Sequence, residues 1–598
     1  MDFAALPPDP HSYANTAEAR VTAMKLVWTV DFDRKELGGE VLLTVARKPG
    51  NARLILDTRD LTLALAEAEG QALSWKFGAT DPILGSPLYI DLPPVNGPAT
   101  VVRLVYRTRP TASGLQWLEP AQTHGKTRPY LFSQAQAIHA RSFVPCQDTP
   151  GVRFTYDATV RTPVGLRAVM SAESVGDPRP DDEGVVFSFR QLRPIPAYLL
   201  ALAVGDLAFR PTGARTGVFG EPGVVDSAAS EFRDLEAMVD AVEAMFGPYR
   251  WGRYDVLVLP PSFPFGGMEN PNMTFATPTL LAGDRSLVSV IAHELAHSWS
   301  GNLVTNADWS DFWLNEGFTV YLERRIVERL YGVETARRQA ILGRDDLIGT
   351  MADFKDRPKL RRLKVDLACE DPDDGMNSVP YEKGALLLTA IERVVGREAF
   401  DPVLRAWFDA YAFKPATTQD FTTFLRTRLP QVEEQIDLAV WIHGESLPPD
   451  APDYDRGVFA RSTEAARGIG TGRLAPGSVD VSAWTTDEWL HFLNELPVTF
   501  GAAEMAALDR VWKLTDRGNS EIAAVWLGRS IRADYAPAYP RLESFLTSIG
   551  RRKYLKPLYA ELLRTPGGRA RAESIYAKAR AGYHPIAQST LDRMFAGK

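Results

Sequence analysis

Alternating apolar and polar residues dominate the first third of the chain. The run from Phe154 to Val160 places an apolar side chain at every second position, which is typical of a strand with one buried face. The runs Val41–Val45 and Val102–Tyr106 repeat the pattern, and clusters of Pro, Gly and Asp separate such runs. We therefore predict a large antiparallel β domain over residues 1–205.

Helical spacing replaces this alternation further along. Leu235, Met238 and Phe246 recur on one helical stripe, which predicts an amphipathic helix. The short apolar run Val256–Leu259 then predicts a strand. A second domain of mixed helices and strands is therefore expected over residues 206–446.

A proline-rich stretch from Leu447 to Tyr454 follows this second domain. Pro-rich segments of this kind commonly connect domains, so residues 447–457 are predicted to be a linker. Beyond the linker, stripes such as Met505 with Leu508 recur at helical spacing. They predict an α-helical layered domain over residues 458–598.

Length and composition agree with several folded domains. The chain has 598 residues, of which 45% are hydrophobic and 24% charged, so it holds enough apolar material for more than one core. The formal net charge is -8. Because phosphate binding favours a basic surface, nucleic acid is not expected as a partner.

Targeting and redox signals are sparse. The N-terminal stretch Met1–Pro8 lacks the basic and apolar regions of a signal peptide. The apolar run Ala197–Gly205 is about half as long as a membrane-spanning helix requires, so no membrane partner is expected. Cys146 and Cys369 are too few and too far apart for a disulfide framework. These features predict a cytoplasmic protein.

The candidate chemistry lies in His293-Glu294-Leu295-Ala296-His297. On a helix, predicted here to begin at Ser286 and to end before Gly301, positions i and i+4 share a face, so both imidazoles can bind one metal ion. Glu294 is turned by about 100° from His293, which suits it to hold a water molecule rather than to bind the metal. Only eight His occur in the chain, so a chance match is on the order of one in a hundred.

A third metal ligand is predicted at Glu316, within Asn315-Glu316-Gly317, on a second helix that starts near Asp311. Two His and one Glu leave one tetrahedral position open, which is typical of catalytic zinc. We therefore expect one Zn²⁺ per chain. Glu323 lies two helical turns after Glu316, so it either orients a zinc-binding histidine or forms an exposed pair with an arginine.

Further motifs extend this site. Gly266-Gly267-Met268-Glu269-Asn270 precedes the histidine motif, and Val379-Pro380-Tyr381-Glu382-Lys383-Gly384 follows it. In combination, these motifs resemble the M1 zinc aminopeptidases. Within that family, Ser133–His139, Leu447–Pro449 and Gly550–Lys553 resemble the leukotriene A4 hydrolase branch, and the resemblance spans nearly the whole chain.

The resemblance implies an α+β multidomain fold. Its parts would be an N-terminal antiparallel β saddle domain, a thermolysin-like zinc catalytic domain over residues 206–446 and a C-terminal α-helical layered domain. Together these domains would enclose a cleft.

The resemblance also implies roles for individual residues. His293, His297 and Glu316 would bind zinc. Glu294 would activate the water, and Tyr381 would donate a hydrogen bond to the tetrahedral intermediate. The implied substrate-binding residues are Gln134, Gln136, Gly266, Gly267, Met268, Glu269, Asp373, Arg551 and Lys553.

Within this substrate-binding set, Glu269 would hold the free α-amine of the substrate. Asp373 would favour a basic N-terminal side chain, and Arg551 with Lys553 would meet the C-terminal carboxylate. Judged without the resemblance, an ordinary core tyrosine with a satisfied hydroxyl is the favoured interpretation of Tyr381. Likewise, a solvated helix face is the favoured interpretation of Arg551 and Lys553 from the sequence alone.

The function that follows is a zinc-dependent aminopeptidase. It would hydrolyse the N-terminal residue from short peptides with a free N-terminus, with zinc-activated water and Glu294 as general base. A thermolysin-type metalloendopeptidase is one alternative, although it has no use for the amine-binding Glu269. A bifunctional aminopeptidase and epoxide hydrolase of the leukotriene A4 hydrolase type is another.

Two positions bear on the epoxide hydrolase alternative. Met376 and Phe265 stand where the mammalian leukotriene A4 hydrolases carry tyrosines. Epoxide opening requires polar groups that position the intermediate and the incoming water, and neither side chain here offers a hydroxyl. Weak or absent lipid hydrolysis is therefore expected. A monomer is expected as well.

Overall fold

The N-terminal β region contains sixteen strands among the residues that the structure describes. That structure is a computed structural model covering residues 6–50, 53–93 and 99–597. In chain order the strands are β1 (Ala19–Asp31), β2 (Glu36–Arg47), β3 (Arg53–Thr58), β4 (Thr62–Ala68), β5 (Gln71–Ala72), β6 (Trp75–Phe77), β7 (Ser86–Asp91), β8 (Ala99–Arg107), β9 (Leu115–Leu118), β10 (Tyr130–Ser133), β11 (Arg153–Thr162), β12 (Arg167–Met170), β13 (Glu173–Ser174), β14 (Arg179–Asp181), β15 (Gly184–Pro196) and β16 (Leu202–Gly205).

These strands form three sheets in the described part of the chain. The largest has the order β13-β15-β11-β1-β2-β8-β4-β5, with β14 beside β15. Smaller sheets have the orders β12-β16-β10-β9 and β3-β7-β6. The sheets are antiparallel as predicted, apart from the parallel pair of β1 and β11. This pair can be parallel because a long crossover separates the two strands in sequence.

Helices and a second set of strands build the middle of the chain. In order these are β17 (Ala208–Pro211), β18 (Thr216–Gly220), α1 (Val225–Glu231), α2 (Leu235–Phe246), β19 (Tyr254–Val258), β20 (Gly267–Met268), β21 (Met273–Ala276), α3 (Ser289–Ala296), β22 (Val304–Asn306), α4 (Trp313–Tyr331), α5 (Val333–Asp353), α6 (Gly384–Val395), α7 (Arg397–Ala410), β23 (Lys414–Ala416), α8 (Thr418–Arg428) and α9 (Leu438–His443).

A mixed sheet of order β17-β18-β19-β21-β20 supports the helices of this middle region. Strands β17 and β18 fall where the alternating pattern is lost in the sequence. The reason is that every residue of β18 is buried, so the strand has no polar face to alternate with. Strand β20 forms the other edge of this sheet, beyond β19 and β21. It contacts helix α3.

Helices α4 and α6 approach each other closely at two glycines. A Cβ built on Gly317 would lie 2.7 Å from the Cα of Gly384, and one built on Gly384 would lie 2.8 Å from the Cα of Gly317. No side chain fits at this crossing. These two glycines therefore set the spacing between the helix that carries Glu316 and the segment that carries Tyr381.

The final part of the chain is helical. Its helices are α10 (Ala460–Gly470), α11 (Thr486–Glu495), α12 (Ala502–Trp512), α13 (Ser520–Arg532), α14 (Tyr539–Ser548), α15 (Arg552–Arg564), α16 (Gly568–Ala579) and α17 (Pro585–Phe595). They enclose a hydrophobic core of their own. Together with the two preceding regions, they make a three-domain α+β protein, as predicted.

The helical domain contacts the middle domain through backbone hydrogen bonds. Gly550 donates to the carbonyl of Pro261 at 2.8 Å, and Arg552 donates to that of Pro264 at 2.9 Å. This contact, the 550–552 junction, holds the loop that leads into Gly266 and Gly267. In the predicted linker, Tyr454 packs against the core of the middle domain, so this segment is fixed in place.

Two further observations concern membranes and cysteines. None of the helices in the described ranges has both the length and the apolar character that a bilayer crossing requires. Cys146 is buried and Cys369 is exposed, and both are free thiols. The two thiols therefore form no disulfide bond, in agreement with the prediction.

Candidate active site

The two histidines of the motif lie at the end of α3. His293 is in its last turn, and His297 follows directly as the C-terminal cap. The predicted helix start at Ser286 is wrong, because the helix begins at Ser289. The Ser286 hydroxyl instead accepts a hydrogen bond from Asn519 of the helical domain, at 3.2 Å. Caps are thus assigned correctly from sequence only where no distant group competes for the side chain.

Three ligand atoms converge beside this helix. The Nε2 atoms of His293 and His297 are 3.2 Å apart, and Glu316 Oε2 lies 3.2 Å and 3.5 Å from them, respectively. Ligands at roughly 2.0 to 2.1 Å from a tetrahedral zinc would be separated by about 3.3 Å. Glu316 Oε2 is buried, and no described residue forms a hydrogen bond with it. The three residues therefore fit a zinc ion.

The other nitrogen of each imidazole is held by an outer partner. His293 Nδ1 lies 3.1 Å from Glu323 Oε2, and His297 Nδ1 lies 3.0 Å from the carbonyl of Ser300 and 3.1 Å from the Thr319 hydroxyl. Because carboxylates and carbonyls only accept, both Nδ1 atoms carry a proton, so Nε2 is the ring nitrogen that each histidine can offer to a metal ion. Of the two interpretations of Glu323, the orienting one is therefore confirmed.

The electrostatic environment supports neutral imidazole at His297. Burial is the largest effect and lowers the pKa of His297 to about 4, although the Glu316 charge acts to raise it. A neutral imidazole is the form that binds a metal ion. At physiological pH this ligand therefore needs no deprotonation before the ion binds.

Glu294 reaches the same site, where one of its carboxylate oxygens lies within 4.8 Å of a ring nitrogen of His297. Its carboxyl carbon would lie 2.3 Å from a Cβ on Gly267, so the glycine in β20 makes room for this side chain. Burial, partly offset by His293, raises the pKa of Glu294 to about 8. A general base works best when its pKa lies near the operating pH. Its position and basicity therefore suit it to take a proton from water.

Glu269 adds a further buried carboxylate. It is 4% exposed, it accepts a hydrogen bond from Gln136 Nε2 at 3.2 Å, and its backbone carbonyl accepts one from Asn302 at 2.6 Å. Burial, followed by the charges of Glu316 and Glu294, raises its pKa well above the ordinary value. Three carboxylates crowd together here, so the site favours a divalent ion together with one further cation.

Tyr381 covers the site from the opposite side. It lies in a π-helical turn, Val379–Lys383, and such turns are frequent at functional sites. Its ring stacks 6.1 Å from that of His293. Burial, followed by the Glu316 charge, raises the pKa of its hydroxyl well above the ordinary value. The hydroxyl therefore stays protonated and is available as a donor.

Comparisons with known proteins match nearly the whole length of the chain. Residues 10–199 match the peptidase M1 N-terminal domain, 231–440 the peptidase family M1 domain, and 484–595 the C-terminal domain of leukotriene A4 hydrolase. Leukotriene A-4 hydrolase of Xenopus laevis is 40% identical over 97% of this chain and 98% of its own. The chain belongs to peptidase family M1.

Other relatives of this M1 peptidase point in the same direction. Leucine aminopeptidase 2 of Yarrowia lipolytica is 38% identical over 98% of this chain and 93% of its own. The structure of yeast LTA4 hydrolase in complex with bestatin superposes with a TM-score of 0.92 at 33% identity, over 99% of this chain and 98% of the other. The protein is thus an M1 metallo-aminopeptidase of the leukotriene A4 hydrolase and leucine aminopeptidase 2 type.

The helical domain contributes Arg551 to the M1 site. Arg551 is 5% exposed, and its Nη1 donates to Thr279 at 3.3 Å, to Glu521 at 3.4 Å and to Tyr554 at 2.9 Å. Its Nη2 would lie 2.7 Å from a Cβ on Gly266. The solvated-face interpretation is therefore wrong for Arg551, and the first glycine of the Gly-Gly pair makes room for its guanidinium.

Lys553 has a different environment. Its Nζ lies 2.9 Å and 2.8 Å from the two carboxylate oxygens of Glu521, while its side chain stays 59% exposed. Its charge is thus already paired. Burial opposes ionisation of Glu521, but Lys553 and then Arg551 outweigh it and lower the pKa of Glu521 to about 2. Glu521 therefore holds both cations in place at neutral pH.

The remaining predicted residues line the boundary with the β domain. Gln134 Nε2 donates to Met268 Sδ at 3.3 Å. Asp373 accepts from the Ala137 N–H at 3.3 Å. Met376 packs against the core of the β domain, and the Phe265 ring lies 6.2 Å from that of Phe263, with an interplanar angle of 78°.

Several residues that support the site were missed from the sequence. Thr319 lies one helical turn after Glu316 on α4, and this spacing was an available signal. Asn302 and Glu521 carried no local signal, because their contacts with Glu269 and Arg551 join segments that are distant in sequence.

Proposed function

We propose that this M1 peptidase removes the N-terminal residue from short peptides that carry a free α-amine. The observation that carries the proposal is the buried carboxylate of Glu269 beside the zinc-ligand set. Zinc supplies one cation for this acidic site, and a substrate ammonium supplies the second. An endopeptidase would leave Glu269 buried without a cationic partner, which is costly.

The chain's own residues account for the steps of hydrolysis. His293, His297 and Glu316 would hold the zinc ion, which when bound would lower the pKa of water to about 7 and polarise the substrate carbonyl. Glu294 takes a proton from the attacking water and passes it to the leaving amine. The Tyr381 hydroxyl donates to the developing oxyanion. Donors of this kind are worth about 10²- to 10³-fold in turnover.

Binding groups at both ends of the site orient the peptide. Glu269 binds the α-ammonium, and Gln136 holds one of its oxygens in place. At the far end, Arg551 offers Nη2 to the C-terminal carboxylate, since its hydrogen bonds to described residues all use Nη1. Lys553 adds positive charge to this end. A peptide held by both termini is necessarily short.

Blocking the α-amine tests the proposed function. We expect N-acetylated peptides to be cleaved at least about 100-fold less efficiently than the same peptides with a free amine, because an unpaired buried carboxylate costs several kcal/mol. The measurement is kcat/KM on matched free and acetylated tripeptides.

Glu269→Gln provides the control for this experiment. The amide cannot form the ion pair, so the variant should lose activity on free peptides and with it most of the difference between the two substrates. Efficient cleavage of acetylated peptides at internal bonds would instead place the protein among the endopeptidases.

Lipid epoxide hydrolysis is the second candidate activity, favoured by the similarity to leukotriene A-4 hydrolase of Xenopus laevis. Here Met376 and Phe265 supply no hydroxyl to the cleft. We therefore expect enzymatic diol formation from the lipid epoxide to be weak or absent in a preparation that cleaves peptides well. Met376→Tyr is the matched gain-of-function variant. Lipid turnover as efficient as peptide turnover in the parent would contradict this expectation.

A further inference from the structure

Asp373 is one of three aspartates on a single short segment, but it differs from the other two in its partners. Arg593 lies 3.9 Å from Asp371 and 3.6 Å from Asp374, and Arg357 lies 3.4 Å from Asp374. In the described part of the chain, no Arg or Lys forms an ion pair with Asp373. Its negative charge is therefore available to a cation from outside the protein.

The β domain holds the Asp373 carboxylate from two sides. The Ala137 N–H donates to Oδ1 at 3.3 Å, and His139 Nε2 lies 3.4 Å from Oδ2. Each carboxylate oxygen has a second lone pair, so these contacts orient the group without saturating it. Burial raises the pKa of Asp373, but the hydrogen bond from His139 and the further favourable interactions outweigh it, and the pKa lies below its ordinary value.

Arg59 fixes the direction of the hydrogen bond from His139. Arg59 Nη1 lies 3.1 Å from His139 Nδ1, and the Ser113 hydroxyl lies 2.9 Å from the same nitrogen. A guanidinium can only donate, so Nδ1 acts as the acceptor and the imidazole proton resides on Nε2. His139 therefore donates to Asp373, and Arg59 selects the tautomer that does so.

The segment that carries these donors also contacts the amine-binding carboxylate. Gln136 donates to Glu269 at 3.2 Å, and the next residue, Ala137, donates to Asp373. One short stretch of the β domain thus holds both acidic groups. From these adjacent donors we infer that Asp373 lies near the first side chain of a peptide bound through its α-amine at Glu269.

We propose that His139 is a positioning residue, whose Nε2–H holds the Asp373 carboxylate in the orientation that accepts a basic side chain at the first position of the substrate. This inference rests on the proposed aminopeptidase function. Arg59 and Ser113 act one step further away, by keeping the His139 ring in place and in the donating tautomer. His139 itself does not touch the substrate.

Two tripeptides that differ only in arginine or citrulline at the first position test the proposal, because citrulline has nearly the shape of arginine without its charge. The quantity measured is the ratio of their kcat/KM values. Asp373→Asn should abolish the preference for arginine. His139→Asn keeps a polar group near Nδ1 but does not reach Asp373, and it should lower the ratio about tenfold, mainly through KM for the arginyl peptide.

His139→Gln is the matched control, since its amide N–H reaches the position of Nε2 and should retain the parent ratio. An unchanged ratio in His139→Asn, together with a collapsed ratio in Asp373→Asn, would overturn the role of His139. An unchanged ratio in Asp373→Asn would show that this carboxylate does not interact with the charge of the first side chain, and would overturn the proposal.

Outcomes on the neutral substrate separate this proposal from the proposed function. If the parent enzyme does not cleave the citrulline peptide at all, that result would contradict the aminopeptidase proposal rather than the role of His139. If neither His139 variant folds, Arg59→Met is tested instead. This variant keeps His139 but removes the guanidinium that donates to Nδ1, so the imidazole proton is no longer held on Nε2 by Arg59. An unchanged ratio in Arg59→Met would then overturn the proposal.

Discussion

Glu294→Gln is expected to lower kcat by about 10²- to 10⁴-fold while zinc stays bound. The amide has nearly the same shape as the carboxylate and fits the space beside Gly267, but it cannot accept a proton from water. Glu294 is not among the three converging ligand atoms, so the metal site should remain intact. The measurements are kcat on a free tripeptide and zinc content by elemental analysis.

Two outcomes would contradict this role for Glu294. If the kcat of the zinc-loaded variant lies within tenfold of the parent value, another group must take the proton from water. Loss of zinc together with activity would show that Glu294 holds the metal site together. Glu328→Gln, on the same α4 helix as Glu316 but paired with Arg397 at the surface, is a control expected to change neither quantity.

His297→Ala is expected to abolish both zinc binding and peptidase activity. Its Nε2 is one of the three converging ligand atoms, and the residue is 1% exposed, so water cannot readily replace the imidazole. Most of the fold should survive, because a site with one open position is catalytic rather than structural. The measurements are zinc per chain, expected near one in the parent, and the circular dichroism spectrum.

The outer partners of the metal site provide a graded comparison. Glu323→Gln keeps all three ligands and should weaken zinc binding by only about 10- to 100-fold, so excess zinc should restore its activity. The metal-stripped parent should likewise recover when zinc is added. Full activity in a verified metal-free preparation would contradict the zinc assignment.

The zinc-ligand set could be predicted from sequence because it depends on short-range geometry. His293 and His297 are one helical turn apart, and the helix fixes their common face wherever it begins. For the same reason, the error at Ser286 did not affect the site. By contrast, Asn519 competes for that serine from a distant part of the chain, and no local pattern reveals such a partner.

The surroundings of the cleft were less predictable. The basic residues next to Arg551 in the sequence are typical of a solvated face, but the middle and helical domains meet around Arg551 and bury it. The resemblance implies that Gly266 and Gly267 bind substrate. In the structure, their missing side chains also make room for the guanidinium of Arg551 and the carboxylate of Glu294. These relations depend on tertiary packing, which a single sequence does not encode locally.

The 550–552 junction also determines the order in which the parts of the site form during synthesis. The ribosome synthesises residues 293–316 and Tyr381 well before residue 550, so the growing chain contains the hydrolytic groups before it contains Arg551. Under the proposed role of Arg551, the cleft gains its carboxylate-binding end only after the last helices have folded and this junction has docked. If Arg551 binds that carboxylate as proposed, selection by peptide length is the last property that the nascent protein acquires.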